Sequence, residues 1–536
     1  MPYDLPVVMY FCRLRGYDPV AQQEVVFYYS THNSQFRNFL TVDVGGTNIP
    51  TNVYYNPRIV EPGNYQITLF DSPFDGGIGS SGAGTFVITN ADGLLDQFAD
   101  YGYDGRLLEV WRGVHYRSDN SITISDWFQG TIETLEVSFS KTSPSRFSFT
   151  IRNNLIYLDK DIQTTLYAGN NSLPNGIEGT ADDIKGNPKP LCYGQVFNIS
   201  PVLVNTSRMI FQIHAGSILA VDVVYDRGVS LARDTAIGNT GDFATSAALM
   251  SASVGASKYA TCLAEGLIKL GTIPAGEITV DCRGDSTGGY IDNVGEIVQR
   301  IILRHTSITV GLLKISSFTA LTSLVGYAVG IFIRETIAVR DVLFELLSSI
   351  GGFGYFDRSN LFTVGRFELP SGAASQSIAN LIELDKNIAS FEDTTIPTYQ
   401  VHLSYQKNYT PQNSQSLAGA SQSRIAFTNL EYRKAIATDA LVSIKHLLSK
   451  PVYKDTLILS ESNAIIEANR LLTLFKTLRN RYSVKIKSYN TTIQLNDIVL
   501  LQVNRFGLNL GKKFRVIGIT EEASTNDTTL DLWGGV

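Results

Sequence analysis

The chain has 536 residues and a mass of 58.8 kDa, enough for roughly three or four domains of about 150 residues each. Hydrophobic residues make up 44%, charged residues only 18%, and the net charge is −6, which excludes a disordered chain and a strongly basic nucleic-acid-binding protein. Soluble domains usually carry about 25% charged residues, so we expect part of the surface to be covered in an assembly. The alternative is a surface rich in Ser, Thr and Asn.

Residues 1–165 show the short, turn-bounded apolar runs of a β-sandwich or β-barrel. Residues alternate between apolar and polar over 135–139 and 147–151, on both sides of the polar segment KTSPS, and this predicts a β-hairpin. In that hairpin Leu135, Val137 and Phe139 would share one face. Further strands are predicted at 7–12, 24–30, 65–70, 85–89 and 106–112.

The segment 166–205 is rich in Gly, Asn, Asp and Pro, which predicts an irregular and mostly exposed connector. Strands are predicted again at 209–214 and 218–225, on either side of Ala215 and Gly216. We therefore expect residues 166–235 to combine the connector with the first strands of the next domain.

Residues 236–370 mix helix and strand signals. A long hairpin is predicted over 258–284, closing at TIPAGE. Asn293 is placed to cap a helix whose apolar residues recur at helical spacing, with Glu296 completing a capping box. A second amphipathic helix is predicted over 339–350, followed by a hairpin of YF, the turn DRSN and LFTV.

Residues 371–536 return to β structure around one long helix. An alternating strand is predicted at 398–405, and the polar stretch 410–424 is predicted to be a mobile loop. The helix spans about 461–480, with Ile465 and Leu478 in its apolar stripe. Four strands follow, VKIKS, DIVLLQV, KKFRVIGI and TTLDLW, so the chain has a β segment at each end.

No motif in the chain indicates catalysis or a bound cofactor. GIGSSG at 77–82 fits the dinucleotide-binding pattern, but a strand and not a helix follows it, so a glycine-rich hairpin loop is expected. Glu178, Asp182 and Asp183 could hold a metal ion, although turn and capping roles are commoner for such residues. The six histidines, of which His214 and His402 lie in strands, are not at ligand spacing. The sequence predicts no enzyme and no catalytic, cofactor-binding or metal-binding residue.

Cysteines and apolar runs suggest buried structure and no membrane insertion. The four cysteines are widely scattered and form no C-x-x-C pair, so we expect buried thiols and no disulfide framework or iron–sulfur cluster. They are Cys12, Cys192, Cys262 and Cys282. The apolar run 318–333 is shorter than the roughly 20 residues of a membrane span and is closed by Arg334 and Glu335, so a buried helix followed by a strand is predicted.

Two short basic runs could favour nucleic acid, KKFR at 512–515 and LRNRYSVKIKSY at 478–489. The second interleaves Tyr482 and Tyr489 with cations, as a single-stranded nucleic-acid site would. A solvated helix end and strand face is the simpler interpretation.

Several segments resemble, in chain order, the baseplate or tail-tip hub proteins of long-tailed, siphovirus-like bacteriophages. The resemblance begins at GIEGTADDIKGNPKPLCYGQVFNISPVLVN (176–205) and YDRGVSL (225–231) and extends over most of the chain. The other similar segments are GTFVITNADGLLDQFADYGYDGRLLEVWRG (84–113), PAGEITVDCRGD (274–285), SIGGFGYFDRSNLFTVGRFELP (349–370), VHLSYQKNYTP (401–411) and the close LNLGKKFRVIGITEE…TLDLWGG.

The resemblance implies a mainly β, multi-domain protein in which two barrel-like β domains carry inserted α+β domains. It implies a tube-facing hub domain, a connector with strands, a mixed domain and a second hub domain with a long helix, at 1–165, 166–235, 236–370 and 371–536. Such proteins form homotrimers, whose paired barrels present a near six-fold ring to the tail tube or distal tail protein and hold the central fibre or spike. Their bore accommodates the tape-measure protein and then DNA in transit.

By this resemblance the chain is a structural virion protein of the tail tip, assembled in the host cytoplasm. Two other functions remain open: a receptor-binding tail component and a tail-associated cell-wall hydrolase. The compact C-terminal β unit counts against a receptor-binding module, which usually lies at the C-terminus of such proteins.

Overall fold

The structure, a computed structural model, describes residues 6–32, 49–50, 53–70, 72–82, 84–116, 121–172, 174–379, 382–388, 396–487 and 493–535. It is mainly β and multi-domain, with two half-barrel sheets, as the sequence predicts. Among the described residues no helix is both long and apolar enough to cross a bilayer.

Seven strands of the N-terminal part form one sheet in the order β2-β1-β8-β9-β10-β7-β3. Its predicted hairpin is confirmed, because Val137 pairs with Phe147 and Leu135 with Phe149. The first ten strands are β1 (Val7–Asp18), β2 (Gln23–Ser30), β3 (Ile59–Glu61), β4 (Tyr65–Thr68), β5 (Gly77–Ile78), β6 (Ser81–Gly82), β7 (Thr85–Thr89), β8 (Leu107–Tyr116), β9 (Ser121–Ser138) and β10 (Arg146–Arg152).

The middle of the chain forms a nine-stranded sheet in the order β12-β13-β17-β16-β15-β14-β18-β11-β19. Its elements are β11 (Leu191–Ile199), β12 (Val202–Asn205), β13 (Ile210–Gln212), β14 (Ile218–Asp226), β15 (Val229–Arg233), α1 (Ser246–Ser251), β16 (Lys258–Cys262), β17 (Leu267–Leu270), β18 (Ile278–Asp285), α2 (Val294–His305), α3 (Ile315–Leu324) and β19 (Gly330–Ile333).

Two predictions for this region are wrong because strands pair over long distances. The hairpin over 258–284 does not close at TIPAGE: β16 turns back into β17 at Gly266, and β18 pairs with β14 and β11 instead. The connector predicted over 166–205 ends earlier, because 191–199 is a strand between two others in the sheet. The helix and strand predicted within 318–333 are confirmed as α3 and β19.

The helices predicted from local signals are confirmed. The side chain of Asn293 accepts a hydrogen bond from the amide of Gly295 and caps α2, whose apolar residues are buried. The second amphipathic helix predicted, α4 (Val339–Ser348), buries the five apolar residues that line it: Val339, Val342, Leu343, Leu346 and Leu347. The left-handed backbone of Gly351 follows it, as expected after a helix end.

The C-terminal part contributes an eight-stranded sheet, two three-stranded sheets and the longest helix. The eight-stranded sheet runs β22-β28-β29-β30-β27-β23 with β4 and β6 attached, and the small sheets run β21-β20-β5 and β25-β24-β26. The elements are β20 (Gly352–Phe356), β21 (Phe362–Arg366), β22 (Gln376–Ile378), β23 (Glu383–Ile388), β24 (Gln400–Tyr405), α5 (Gln422–Thr428), β25 (Arg433–Thr438), α6 (Ala440–Lys445), β26 (Pro451–Asp455), α7 (Glu461–Phe475), β27 (Asn480–Lys487), β28 (Ile498–Leu501), β29 (Lys512–Glu522) and β30 (Asp527–Gly534).

Two predictions in this part need correction. The long helix is shorter than predicted, and Ile465 and Leu478 are exposed, whereas Glu467 is fully buried. Glu467 is stabilised there by Arg470, whose guanidinium also donates to the carbonyl of Phe367 at 2.7 Å. The polar stretch 410–424 is not a free loop, because it leads into α5, where the Arg424 side chain is buried.

A short segment of the N-terminal part leaves its own sheet and inserts into the C-terminal part. Strand β4 pairs antiparallel with β29, with Ile67 opposite Ile519. Strand β5 then pairs in parallel with β20. The predicted glycine-rich loop at 77–82 is therefore wrong: it consists of strands β5 and β6, which belong to two different sheets.

A buried ionic cluster lies at the same junction, centred on Glu521 of β29. Its carboxylate hydrogen-bonds Arg358, lies 3.6 Å from Nη1 of Arg112 and accepts a hydrogen bond from the hydroxyl of Thr528 at 3.1 Å. Arg358 also stacks over the ring of Tyr65 on the inserted segment. Burial alone would raise the pKa of Glu521, but the two arginines outweigh burial and hold it below its ordinary value.

We expect the substitution Glu521→Gln to destabilise the protein, because it leaves Arg112 and Arg358 buried without a counter-charge. The free energy of unfolding should fall by about 3–5 kcal/mol at neutral pH. Since the pKa of Glu521 is lowered on folding, its contribution is complete above the ordinary value of about 4.3 and is lost as the pH falls through the lowered pKa. The difference between wild type and variant should therefore narrow only below about pH 4.3. Urea unfolding, followed by tryptophan fluorescence at several pH values, measures both effects.

The neighbouring substitution Glu522→Gln is the control. The side chain of Glu522 is exposed and accepts a hydrogen bond from Thr525. Its replacement should change the free energy of unfolding by no more than about 0.5 kcal/mol. A Glu521→Gln variant as stable as this control would contradict the structural role of the cluster.

From the packing of the inserted segment we expect alanine substitutions at two nearby glycines to differ in their effect on stability. A Cβ added at Gly79 would lie 2.3 Å from the carbonyl oxygen of Thr68, whereas one added at Gly82 would meet nothing within 4 Å. Neither glycine has a left-handed backbone. Gly79→Ala should therefore destabilise the protein by about 1–3 kcal/mol, and Gly82→Ala should be neutral or slightly stabilising. Equal midpoints of urea unfolding for the two variants would show that β4 and β6 are not packed as described.

Candidate functional site

Two of the three acidic residues considered as metal ligands serve local structure, and the third, Asp182, is exposed. Glu178 forms an ion pair with Lys189, and its other oxygen accepts from the amide of Ala168 at 3.0 Å. Asp183 accepts from the amides of Thr180 and Ile184. Within the described part of the chain no three His, Cys, Asp or Glu side chains are grouped closely enough to hold a metal ion.

The two histidines predicted to lie in strands are satisfied by neighbours, as predicted. Only His402 lies in a strand, because His214 falls in the connection between β13 and β14. Nδ1 of the buried His214 accepts from the amide of Cys192 at 2.9 Å, and its Nε2 lies 3.7 Å from the carboxylate of Asp285. Burial alone would raise the pKa of Asp285, but His214, Arg300 and Arg304 hold it well below its ordinary value. His402 hydrogen-bonds Gln400 and stacks on Tyr453.

The four cysteines are buried free thiols, as predicted. Two of them meet across strands β11 and β18, where the sulfurs of Cys192 and Cys282 are 3.9 Å apart. The contact with Cys192 and burial raise the pKa of the Cys282 thiol, so it stays protonated at neutral pH.

Several cations of the two basic runs form ion pairs and hydrogen bonds within the chain. Lys487 and Arg481 pair with Asp527 and Asp531 on the neighbouring strand β30. Arg515 of the KKFR run is buried and donates to the carbonyl oxygen of Glu368. Tyr482 is also buried, and Tyr489 lies outside the described residues. The solvated strand face is therefore the interpretation that the structure supports.

The chain's clearest exposed apolar feature is the connection between β25 and β26. We call its four apolar side chains the crossover surface: Leu441, Ile444, Leu447 and Leu448, which are between 72% and 88% exposed. Leu441 and Ile444 lie three positions apart on α6, whereas Val442 is the buried residue of that helix, and Leu447 and Leu448 lie in the turn after it. The apolar stripe of this helix thus faces away from the core.

Hydrogen bonds hold the backbone of this connection in place. Asp439 caps α6 by accepting from the amide of Leu441, and Lys476 pairs with the other oxygen of Asp439. At the far end the hydroxyl of Ser449 donates to the carbonyl of Pro397, and that of Thr398 donates to the carbonyl of Lys450. The crossover surface is therefore part of a well-anchored segment.

The sheet beside the crossover surface also has an uncovered face. Helix α7 packs on one side of β24 and β25, where Val401 and Leu403 are buried. On the other face the strand register places His402 between Ile436 and Tyr453, and both neighbours are about half exposed. The rest of this face is mostly polar, with Gln400, Ser404 and Lys434 on it, so it adds only a small apolar patch beside the crossover surface.

A second exposed apolar feature lies on the N-terminal sheet. We call Val137 and Phe139, at the end of the β9–β10 hairpin, the hairpin tip; Phe139 is 81% exposed. The sequence predicts that both share a face with Leu135, and it does not indicate whether the chain covers that face. In the strand register Val137 lies opposite the buried Phe147, yet Val137 itself is half exposed.

Sequence reasoning missed the crossover surface, although a signal was present. The segment ALVSIKHLLSK combines apolar residues at helical spacing with few charges, a pattern that also occurs in core helices. Periodicity shows that a helix has an apolar face, but it does not show whether the same chain covers that face.

No protein-family model matches the chain, and no curated protein matches it. Among solved structures it is similar to a tail protein from Neisseria meningitidis, at 10% identity over 89% of this chain and 94% of that one, with a TM-score of 0.40. It is also similar to a 43 kDa prophage tail protein from Shewanella oneidensis (9% identity, 91% and 96% covered, TM-score 0.38) and to a prophage tail protein from Listeria monocytogenes (8% identity, 98% and 94% covered, TM-score 0.40). Because the identities and TM-scores are this low, we base the proposal below on the residues of this chain.

Proposed function

We propose that the chain is a structural subunit of a phage tail, a hub at the tail tip or baseplate that joins the tail tube to the central fibre or spike. The observation that carries the proposal is the crossover surface, a well-anchored segment that exposes four large apolar side chains. A chain with only 18% charged residues and such a surface is suited to burial in an assembly. The ordered resemblance of its segments to tail-tip hubs supports the same function.

The partner that we assign to the crossover surface is a second copy of this chain. A closed ring of three copies needs two different surfaces on each copy, because its contacts are heterologous. The crossover surface lies on the small sheet beside α7, and the hairpin tip lies on the N-terminal sheet, so they are separate surfaces. In the proposed homotrimer the crossover surface of one copy packs against the hairpin tip of the next.

The remaining partners follow from the hub role. The ring would contact the tail tube or distal tail protein on one side and the central fibre or spike on the other. Its bore would pass the tape-measure protein and then DNA, and a net charge of −6 suits a channel that must not bind DNA tightly. The site of action is the virion, after assembly in the host cytoplasm.

The mass of the purified chain, measured by light scattering on a sizing column, tests the proposal. We expect a particle of about three times 58.8 kDa, roughly 176 kDa, and a ring with an axial opening in electron micrographs. Leu447→Asp with Leu448→Asp, or Phe139→Asp alone, should convert this particle to a monomer, since each places a charge in an apolar contact.

Leu510→Asp is the matched control. Leu510 is as exposed as Leu447, but it lies in the connection between β28 and β29 of the eight-stranded sheet. It should leave the trimer intact. A wild-type chain that stays monomeric up to high concentration would contradict self-assembly and favour the receptor-binding alternative. A clearing band in a peptidoglycan zymogram would instead favour the cell-wall hydrolase.

A further inference from the structure

An open cavity of about 680 Å³ lies at the junction between the nine-stranded sheet and the segment around α5. Strands β11, β14, β15 and β18 form its floor and one wall, and α5 with the residues before it forms the other wall. The volume lies within the range of roughly 300–1,000 Å³ that is usual for small-molecule sites. Such sites often lie where two parts of a protein meet.

A buried polar network holds the two walls together. The side chain of Asn198, on β11, donates to Asn408 at 2.7 Å and to the carbonyl of Thr410 at 2.6 Å. Asn408 in turn donates to the carbonyls of Thr428 and Leu430. Because these amides are fully buried and paired, the cavity is formed before any ligand arrives.

The cavity carries one negative side chain on its floor, Asp281, and one positive side chain on the α5 wall, Arg424. Asp281 accepts from the amide of Asn198 at 2.7 Å and from the hydroxyl of Tyr225 at 3.2 Å, and it lies 3.6 Å from Nη1 of Arg424. Arg424 stacks on the ring of Tyr225, and its buried Nε–H has no acceptor among the described residues. Burial raises the pKa of Asp281 against the opposing effect of Arg424.

The walls are aromatic and the rim is polar. Phe197 and Phe427 meet edge to face, with ring centroids 6.3 Å apart, beside Tyr225. Gln406 lines the cavity, and its side-chain amide makes no hydrogen bond to the residues that the structure describes. Ser230, Ser421 and Ser423 add hydroxyl groups at the edge.

These features select one class of ligand. The cavity has no excess of positive charge, so a phosphate or a carboxylate would gain little there. A wholly apolar ligand would separate polar groups of the floor from water without giving them partners. A ligand with an apolar face and many neutral hydroxyl groups satisfies both the aromatic rings and the polar atoms. We propose that this cavity binds a neutral saccharide, a function beyond the structural role proposed above.

Saturation-transfer NMR with the full-length protein and a panel of neutral mono- and disaccharides tests this proposal. We expect at least one sugar to receive saturation through the C–H groups of one ring face, because those groups lie against the aromatic wall. Phe427→Leu, which keeps apolar volume but loses the flat ring, and Gln406→Ala should each weaken binding by about tenfold or more.

Phe506→Leu is the control, because it makes the same change to a half-exposed ring on a different sheet. It should bind sugar as the wild type does. An oligosaccharide that binds about tenfold more tightly than its monosaccharide would identify a surface polysaccharide as the source, and equal affinities would identify a free sugar. Absence of binding by every sugar, preferential binding of inorganic phosphate, or unchanged binding by both cavity variants would overturn the proposal.

Discussion

The pairing of strand β4 with β29 is the constraint on which the rest of the structure depends. It joins residues 65–68 to residues 518–521, more than 400 positions later in the chain. Closing so long a loop is entropically costly, so the contacts that close it must be strong and specific. The ladder between the two strands, the stacking of Arg358 on Tyr65 and the charge of Glu521 act at the same place. These contacts join the two ends of the chain into one structural unit.

Charged residues in this protein are few, and some of them are buried. Glu521, Glu467 and Asp285 are buried, and each is stabilised by at least one arginine. Buried ion pairs of this kind add little net stability but oppose alternative registers, because a misplaced strand would leave a charge unpaired. Charges used in this way do not remain on the surface. With only 18% charged residues in the whole chain, this leaves fewer charges on the surface that carries the crossover surface.

Features that depend on neighbouring residues could be predicted from the sequence. The cap at Asn293, the buried face of α4 and the hairpin between β9 and β10 all follow from spacing within a few residues. Features that depend on distant residues could not. The partner of β18, the burial of Glu467 and the insertion of 77–82 are decided by segments far along the chain.

The same contrast between local and distant residues applies to the cavity and to the crossover surface. The two walls of the cavity are held together by Asn198 and Asn408, which are 210 positions apart in the chain. No local sequence pattern could therefore indicate the cavity. Its second wall lies in the stretch predicted to be a mobile loop, because a run of Gln, Ser, Ala and Gly gives no sign of the buried Arg424 that anchors it. The segment of the crossover surface has an amphipathic pattern, but such a pattern does not show whether the same chain covers the apolar side.

The central claim is that strand β4 is a permanent part of the C-terminal sheet. Hydrogen exchange in β4 and its partner β29 tests this claim most directly. If residues 65–68 are a permanent part of the C-terminal sheet, the amides of Ile67 and Leu69 should exchange as slowly as those of β29, to within about tenfold. Both sets should then exchange through the same opening of the sheet. Rapid exchange at 65–69, like that of an exposed turn, while β29 and β30 stay protected would contradict the account, because the two ends of the chain would then be separable bodies.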